Sequence, residues 1–65
     1  MTRLIKRIPK RENEEIRVSV VSYRGLEVVD VRLFYKMKNE YFPTMKGLII
    51  SRKLVKELIE ALQKA

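Results

Sequence analysis

Apolar and polar positions begin to alternate at Ile16. Ile16, Val18 and Val20 are interleaved with Arg17 and Ser19, the period of two that marks a half-buried strand. Tyr23-Arg24-Gly25 follows as a turn, with Gly25 free to take a positive φ. A second strand, about residues 26–36, puts Val29, Val31 and Leu33 on one face and Val28, Asp30, Arg32 and Phe34 on the other. Lys36-Met37-Lys38-Asn39-Glu40 is polar and reads as a loop. Tyr41-Phe42 opens a short third strand, which Pro43 confines to an edge or ends. Lys46-Gly47 marks a further turn, and Leu48-Ile49-Ile50 a short, buried fourth strand.

The period then changes. Leu54, Val55, Leu58, Ile59 and Leu62 form one apolar stripe of a helix of about three to four turns. Ser51 precedes it as an N-cap, its hydroxyl able to accept from a free first-turn N–H. The opposite side carries Lys53, Lys56, Glu57, Glu60 and Lys64. This pattern predicts an α+β fold: a four-stranded antiparallel meander followed by one C-terminal amphipathic helix, β-β-β-β-α. Val18, Val20, Val29, Val31 and Leu33 are expected to face the helix stripe.

Residues 1–13 show no such pattern. Arg3, Lys6, Arg7, Lys10 and Arg11 surround Pro9, and Leu4, Ile5 and Ile8 are too few for a core of their own. They read as a basic N-terminal arm, partly disordered, ahead of the folded domain over 14–65.

Size and charge sharpen the picture. A chain of 65 residues buries only about 60% of the surface its unfolded form exposes, so one core is marginal support. With no Cys and no His, disulfides and the common soft metal ligands are absent, which leaves self-association as the stabilising route. A homodimer is the expected state. The 15 Lys and Arg outnumber 8 Asp and Glu, giving a net charge of +7 and a pI near 10.1, which favours a polyanionic partner. No apolar run approaches the roughly 18 residues of a membrane span, and the basic start lacks the apolar run of a secretory signal. No membrane partner is expected, and the mixed charge of the helix's polar side argues against a peripheral one. A cytoplasmic location follows, nucleoid-associated in a prokaryote.

Catalysis is not expected. Activated-nucleophile chemistry lacks its usual His and Cys, and two glycines make no phosphate loop. Glu27 and Asp30 are an odd number of residues apart on a strand and point to opposite faces. No cofactor or metal is called for. Binding chemistry is better represented: single-strand binders stack bases on aromatic rings while basic groups follow the phosphates. Tyr23 with Arg24, and Arg32 with Tyr35, supply both kinds of group, whereas Phe34 is read as core. Lys46 beside Gly47 is placed to meet a phosphate, Lys36 and Lys38 to steer a ligand, and Arg17 completes the candidate basic surface.

These residues carry a resemblance. "VSVVSYRGLEVVDVRLFY", then "MKGLIIS" and an amphipathic helix, resembles the positive cofactor four family of transcriptional coactivators over about residues 16–64. The resemblance implies a homodimer that binds single-stranded DNA, or melted duplex, on curved sheets. It implies that Tyr23 is the stacking aromatic of the first turn and Arg24 its basic neighbour. It likewise makes Arg32 the arginine of a D-[IV]-R motif, Tyr35 the aromatic three residues on, and Lys46 the lysine before the last-strand glycine. Tyr35 stands where the family often has Trp, and Leu26 where eukaryotic members have a second lysine; their Ser-rich extension is missing. The chain looks like a prokaryotic, archaeal or viral version. The expected function is single-stranded DNA binding with little sequence preference, in transcription, replication or repair, with RNA as a competing ligand and transcription machinery as a further partner. The alternative is a protein-interaction module that binds a transcription factor without touching nucleic acid. One conflict stands: Arg32 and Tyr35 share a face only if the strand bulges or ends between them.

Overall fold

Three two-residue turns fold the chain back and forth into a single sheet. The computed structural model describes residues 1–65, with strands β1 (Thr2–Arg11), β2 (Glu14–Tyr23), β3 (Leu26–Met37) and β4 (Glu40–Ser51) in the order β1-β2-β3-β4, all antiparallel. A 3₁₀ turn (Arg52–Leu54) leads into helix α1 (Val55–Gln63). The expected meander and C-terminal helix are present. Two of the three turns explain themselves chemically: Arg24 and Gly25 have φ of 51° and 78°, Lys38 and Asn39 have 51° and 66°. Positive φ at both central residues is the type I′ pattern, whose twist matches that of the strands it joins.

Three expected boundaries are corrected. First, the segment read as a partly disordered arm contains β1, which pairs with β2 from Thr2↔Val21 to Arg11↔Glu14. Register shifts between Leu4 and Lys6 and between Pro9 and Arg11 interrupt its alternation, which hid the strand from a period-two reading. Pro9 is tolerated because β1 is an edge strand. Second, residues 36–40 are not a loop, because the strands continue to Met37 and resume at Glu40 around a turn of two residues. Third, the short third and fourth strands are one long β4, and Lys46-Gly47 is not a chain reversal.

A bulge interrupts β4 instead. Pro43 pairs with Phe34 and Gly47 with Arg32, so Thr44, Met45 and Lys46 oppose Leu33 alone. Thr44 pins the bulge: its Oγ1 donates to Leu33 O at 2.8 Å and accepts from Lys46 N–H at 3.1 Å. Its carbonyl accepts from Arg32 Nη1 at 2.9 Å. At Gly47 a Cβ would lie 2.6 Å from Val31 O and 2.9 Å from Arg32 Cα, so only glycine lets β4 rejoin β3 there.

Helix α1 turns toward the face that carries Val18, Val20 and Val29, where Val55 joins them around a shallow cleft with Ile5. Ser51 Oγ accepts from Lys53 N–H at 3.3 Å, the expected cap, though on the 3₁₀ turn. Coverage by the stripe is far from complete: Val55 and Leu58 are half-buried, while Leu54, Ile59 and Leu62 are exposed. Val20 is the one buried hydrophobic residue of the chain. The molecule is a plate of 36 × 33 × 18 Å. Its radius of gyration is 12.8 Å, against about 11 Å for a compact domain of this length.

Candidate nucleic-acid interface

Side-chain alternation and unbroken β2–β3 pairing, from Glu14↔Tyr35 to Tyr23↔Leu26, sort residues onto two faces. The face turned away from α1 carries Glu15, Arg17, Ser19, Val21 and Tyr23 from β2, and Val28, Asp30, Arg32, Phe34 and Lys36 from β3. Pairing adds Arg7 of β1 opposite Arg17, and Tyr41 of β4 opposite Lys36. We call this the open face.

A row of arginines crosses it. Arg7 pairs with Arg17, Arg17 with Arg32, and Arg32 with Gly47, so three guanidinium stems stand side by side on adjacent strands. Strands about 4.8 Å apart make this row roughly 10 Å wide. Like charges directly opposite each other destabilise a sheet, and each interior arginine has an acid two residues before it on the same strand. Asp30 accepts from Arg32 Nε at 3.1 Å, and Glu15 from Arg17 Nε at 2.5 Å. Glu15 also takes the fork of Arg7, from Nε at 2.8 Å and Nη2 at 3.0 Å. Chiefly through the Arg7 hydrogen bonds, and then those of Arg17, its carboxyl titrates below its ordinary value of 4.5, although burial opposes this. The same pairing holds Arg7 above its own ordinary value.

Aromatic rings lie beneath the cations. The Arg17 guanidinium sits 4.4 Å from the Phe34 centroid and 5.2 Å from that of Tyr41. Arg7 and Lys36 approach the Tyr41 ring at 5.3 and 5.8 Å. Contacts of this kind attract each cation to the ring face and fix its direction. At the other end of the same face Tyr23 is 61% exposed, with Arg24 in the adjoining turn 5.2 Å from its ring.

The structure therefore gathers Arg17, Arg32 and Lys36 into one patch, with Tyr23 and Arg24 further along the same face. It separates the others. The bulge that could have reconciled Arg32 with Tyr35 lies in β4 and not in β3, so Tyr35 faces the α1 side, opposite Glu14 and Phe42. Lys46, in the bulge, lines a cleft on that side with Lys10, Ile16, Leu33 and Leu48. Lys38 sits in the β3–β4 turn between the two faces. Phe34, expected in the core, is half-buried under Arg17 on the open face. Arg7, Glu15 and Tyr41 were missed by sequence reasoning. For Glu15 the signal was the repeated acid-x-Arg of Glu15/Arg17 and Asp30/Arg32, a spacing that places both groups on one face of a strand; Arg7 and Tyr41 join only through strand pairing.

With this geometry established, similarity to known proteins is informative. The family model described as Transcriptional Coactivator p15 (PC4) matches residues 10–61. The tetragonal crystal structure of a PC4 homologue from Burkholderia pseudomallei K96243 superposes with a TM-score of 0.90 at 31% identity, covering 97% of this chain and 94% of that one. Its orthorhombic form gives 0.90 at 32% identity, covering 94% and 84%. A bacteriophage T5 homologue of the eukaryotic transcription coactivator PC4, implicated in recombination-dependent DNA replication, gives 0.76 at 24% identity, covering 97% and 74%. No curated protein sequence matches the chain.

Proposed function

The chain belongs to the Transcriptional Coactivator p15 (PC4) family, and from that premise we propose that it binds single-stranded DNA as a homodimer, with little sequence preference. The observation that carries this reading is the open face. Its arginine row, seated over Phe34 and Tyr41, shares one surface with the exposed ring of Tyr23, so cations and an open π-face stand together. Unpaired bases stack on such rings, and guanidinium groups meet the phosphates between them. Arg17, Arg32 and Lys36 bind the backbone, and Tyr23 with Arg24 stacks a base. A strand that rounds the β3–β4 hairpin meets Lys38 at its tip and then Tyr35 on the second face, where Lys46 also lies. Phosphate and stacking contacts carry no sequence information directly, which is why little sequence preference is expected. The protein would then work wherever unpaired DNA is exposed, in transcription, replication or repair, in the cytoplasm or nucleoid. No helix is long and apolar enough to cross a membrane.

Dimerisation has separate support. The chain exposes 5733 Å², whereas a folded monomer of 7.8 kDa exposes about 4,400 Å². The excess, about 1,300 Å² per chain, is of the size that a permanent dimer buries. The exposed Leu54, Ile59 and Leu62 stripe is its natural seam.

The test is a comparison of labelled single-stranded DNA, single-stranded RNA and duplex of equal length across a salt series. Tight, salt-dependent binding of the single-stranded DNA, similar for poly-dT and mixed sequence, is expected. No binding at low salt would favour the alternative, a protein-interaction module that uses the same apolar stripe on another protein.

A further inference from the structure

Glu15 is the one buried charged residue, at 5% exposure, and it lies in a sheet with almost no core to bury it. What covers it is two arginines. Arg7 grips its carboxylate with the planar fork and Arg17 donates from Nε, while the Arg7 side chain stays 50% exposed. Both terminal nitrogens of Arg17 are left without a protein partner, and beyond Glu15 the Arg7 guanidinium has only Tyr41 beside it. The rings of Tyr41 and Phe34 support these groups from beneath.

We propose that Arg7 and Arg17 form a phosphate-binding subsite on the open face, with Glu15 as its positioning residue. The ligand is a phosphodiester of the single strand, so the inference rests on the single-strand reading above. A flexible arginine loses rotamer freedom when it grips a phosphate, and preorganisation removes that cost. The carboxylate lies too deep to meet the ligand or to be displaced by it. It holds two guanidinium groups in fixed places, leaving two positive charges against one negative. Arg7 brings β1 into the interface, so the row of contacts spans β1 to β3.

Two variants test this by the sign of their effects. Simple charge counting predicts that Glu15→Gln, which makes the protein more basic, binds single-stranded DNA more tightly. Preorganisation predicts the reverse: the amide has one acceptor oxygen and cannot take the Arg7 fork, so binding weakens about tenfold and the salt dependence becomes shallower. Arg7→Ala, on an exposed edge strand, should flatten the log–log salt slope by about 0.7 for each copy of the site occupied. Arg7→Lys should recover part of the affinity, because charge survives and the fork does not. Thermal melts on each variant confirm that binding is measured on folded protein. Tighter binding by folded Glu15→Gln, or an unchanged slope in Arg7→Ala while the parent binds normally, overturns the subsite alone. Failure of the parent to bind single-stranded DNA overturns the single-strand reading and the subsite with it.

Discussion

Tyr23 and Tyr35 are the residues in which sequence and structure part. Both follow from the resemblance as stacking aromatics, yet an uninterrupted β2–β3 ladder sends them to opposite faces of the sheet. Loss of a stacking ring costs roughly 1–3 kcal/mol per base. Tyr23→Ala is therefore expected to weaken oligonucleotide binding by about fivefold to a hundredfold, and Tyr23→Phe by much less, in a fluorescence anisotropy titration. Short oligonucleotides confined to the open face should ignore Tyr35→Ala, and only longer ones that round the hairpin should feel it. Glu15 provides a second residue-scale expectation. Its carboxyl is more acidic in the folded chain, so its stabilising effect is complete above about pH 4.5 and is lost as pH falls through its lowered value. Between about pH 6 and about pH 3 the melting temperature of the parent should fall more steeply than that of Glu15→Gln. Equal slopes would show that this ion cluster contributes nothing to stability.

At the scale of elements, the legible parts were those with an uninterrupted period. β2 alternates from Ile16 to Val20, and the α1 stripe repeats with the helix period, so both could be placed from the chain alone. β1 and β4 could not: each one-residue shift in β1 moves the following side chains to the other face, and in β4 two extra residues break the run between Pro43 and Gly47 while the faces stay the same. Lys46-Gly47 looked like a turn for the same reason, since a glycine after a polar residue signals either a reversal or a bulge. Gly47 makes the distinction testable. A methyl group there meets backbone atoms of Val31 and Arg32, which cannot move aside without breaking the ladder. Gly47→Ala is expected to cost about 1–3 kcal/mol in urea unfolding at fixed protein concentration. An alanine variant as stable as the parent would mean that β4 does not approach β3 as closely as described.

For the whole molecule, the deciding quantity is uncovered apolar surface. A single-layer plate with one buried hydrophobic side chain cannot offset the conformational entropy of ordering 65 residues. Sedimentation or light scattering should therefore give about twice 7.8 kDa. Ile59→Glu, which puts a charge in the exposed stripe, should shift the mass toward the monomer and lower the melting temperature together. A stable monomeric parent at micromolar concentration would remove the homodimer from the proposal.

By itself the sequence determined the meander and its final helix, the positions of two strands and of the turn at Gly25, and the excess of positive charge. Each of these depends on neighbours a few residues away: periods of two or near four, a glycine with positive φ, a count of ionisable groups. Tertiary structure alone decided that the basic N-terminal segment is a strand, because β1 is held by hydrogen bonds to β2 rather than by any pattern of its own. It also decided which charged and aromatic residues meet. Arg7, Arg17 and Arg32 become neighbours only through the register of three strands, and Tyr41 reaches them only because β4 folds back around Lys38-Asn39. Register is set by pairing between distant segments, so a site that crosses strands is invisible to any reading along one of them.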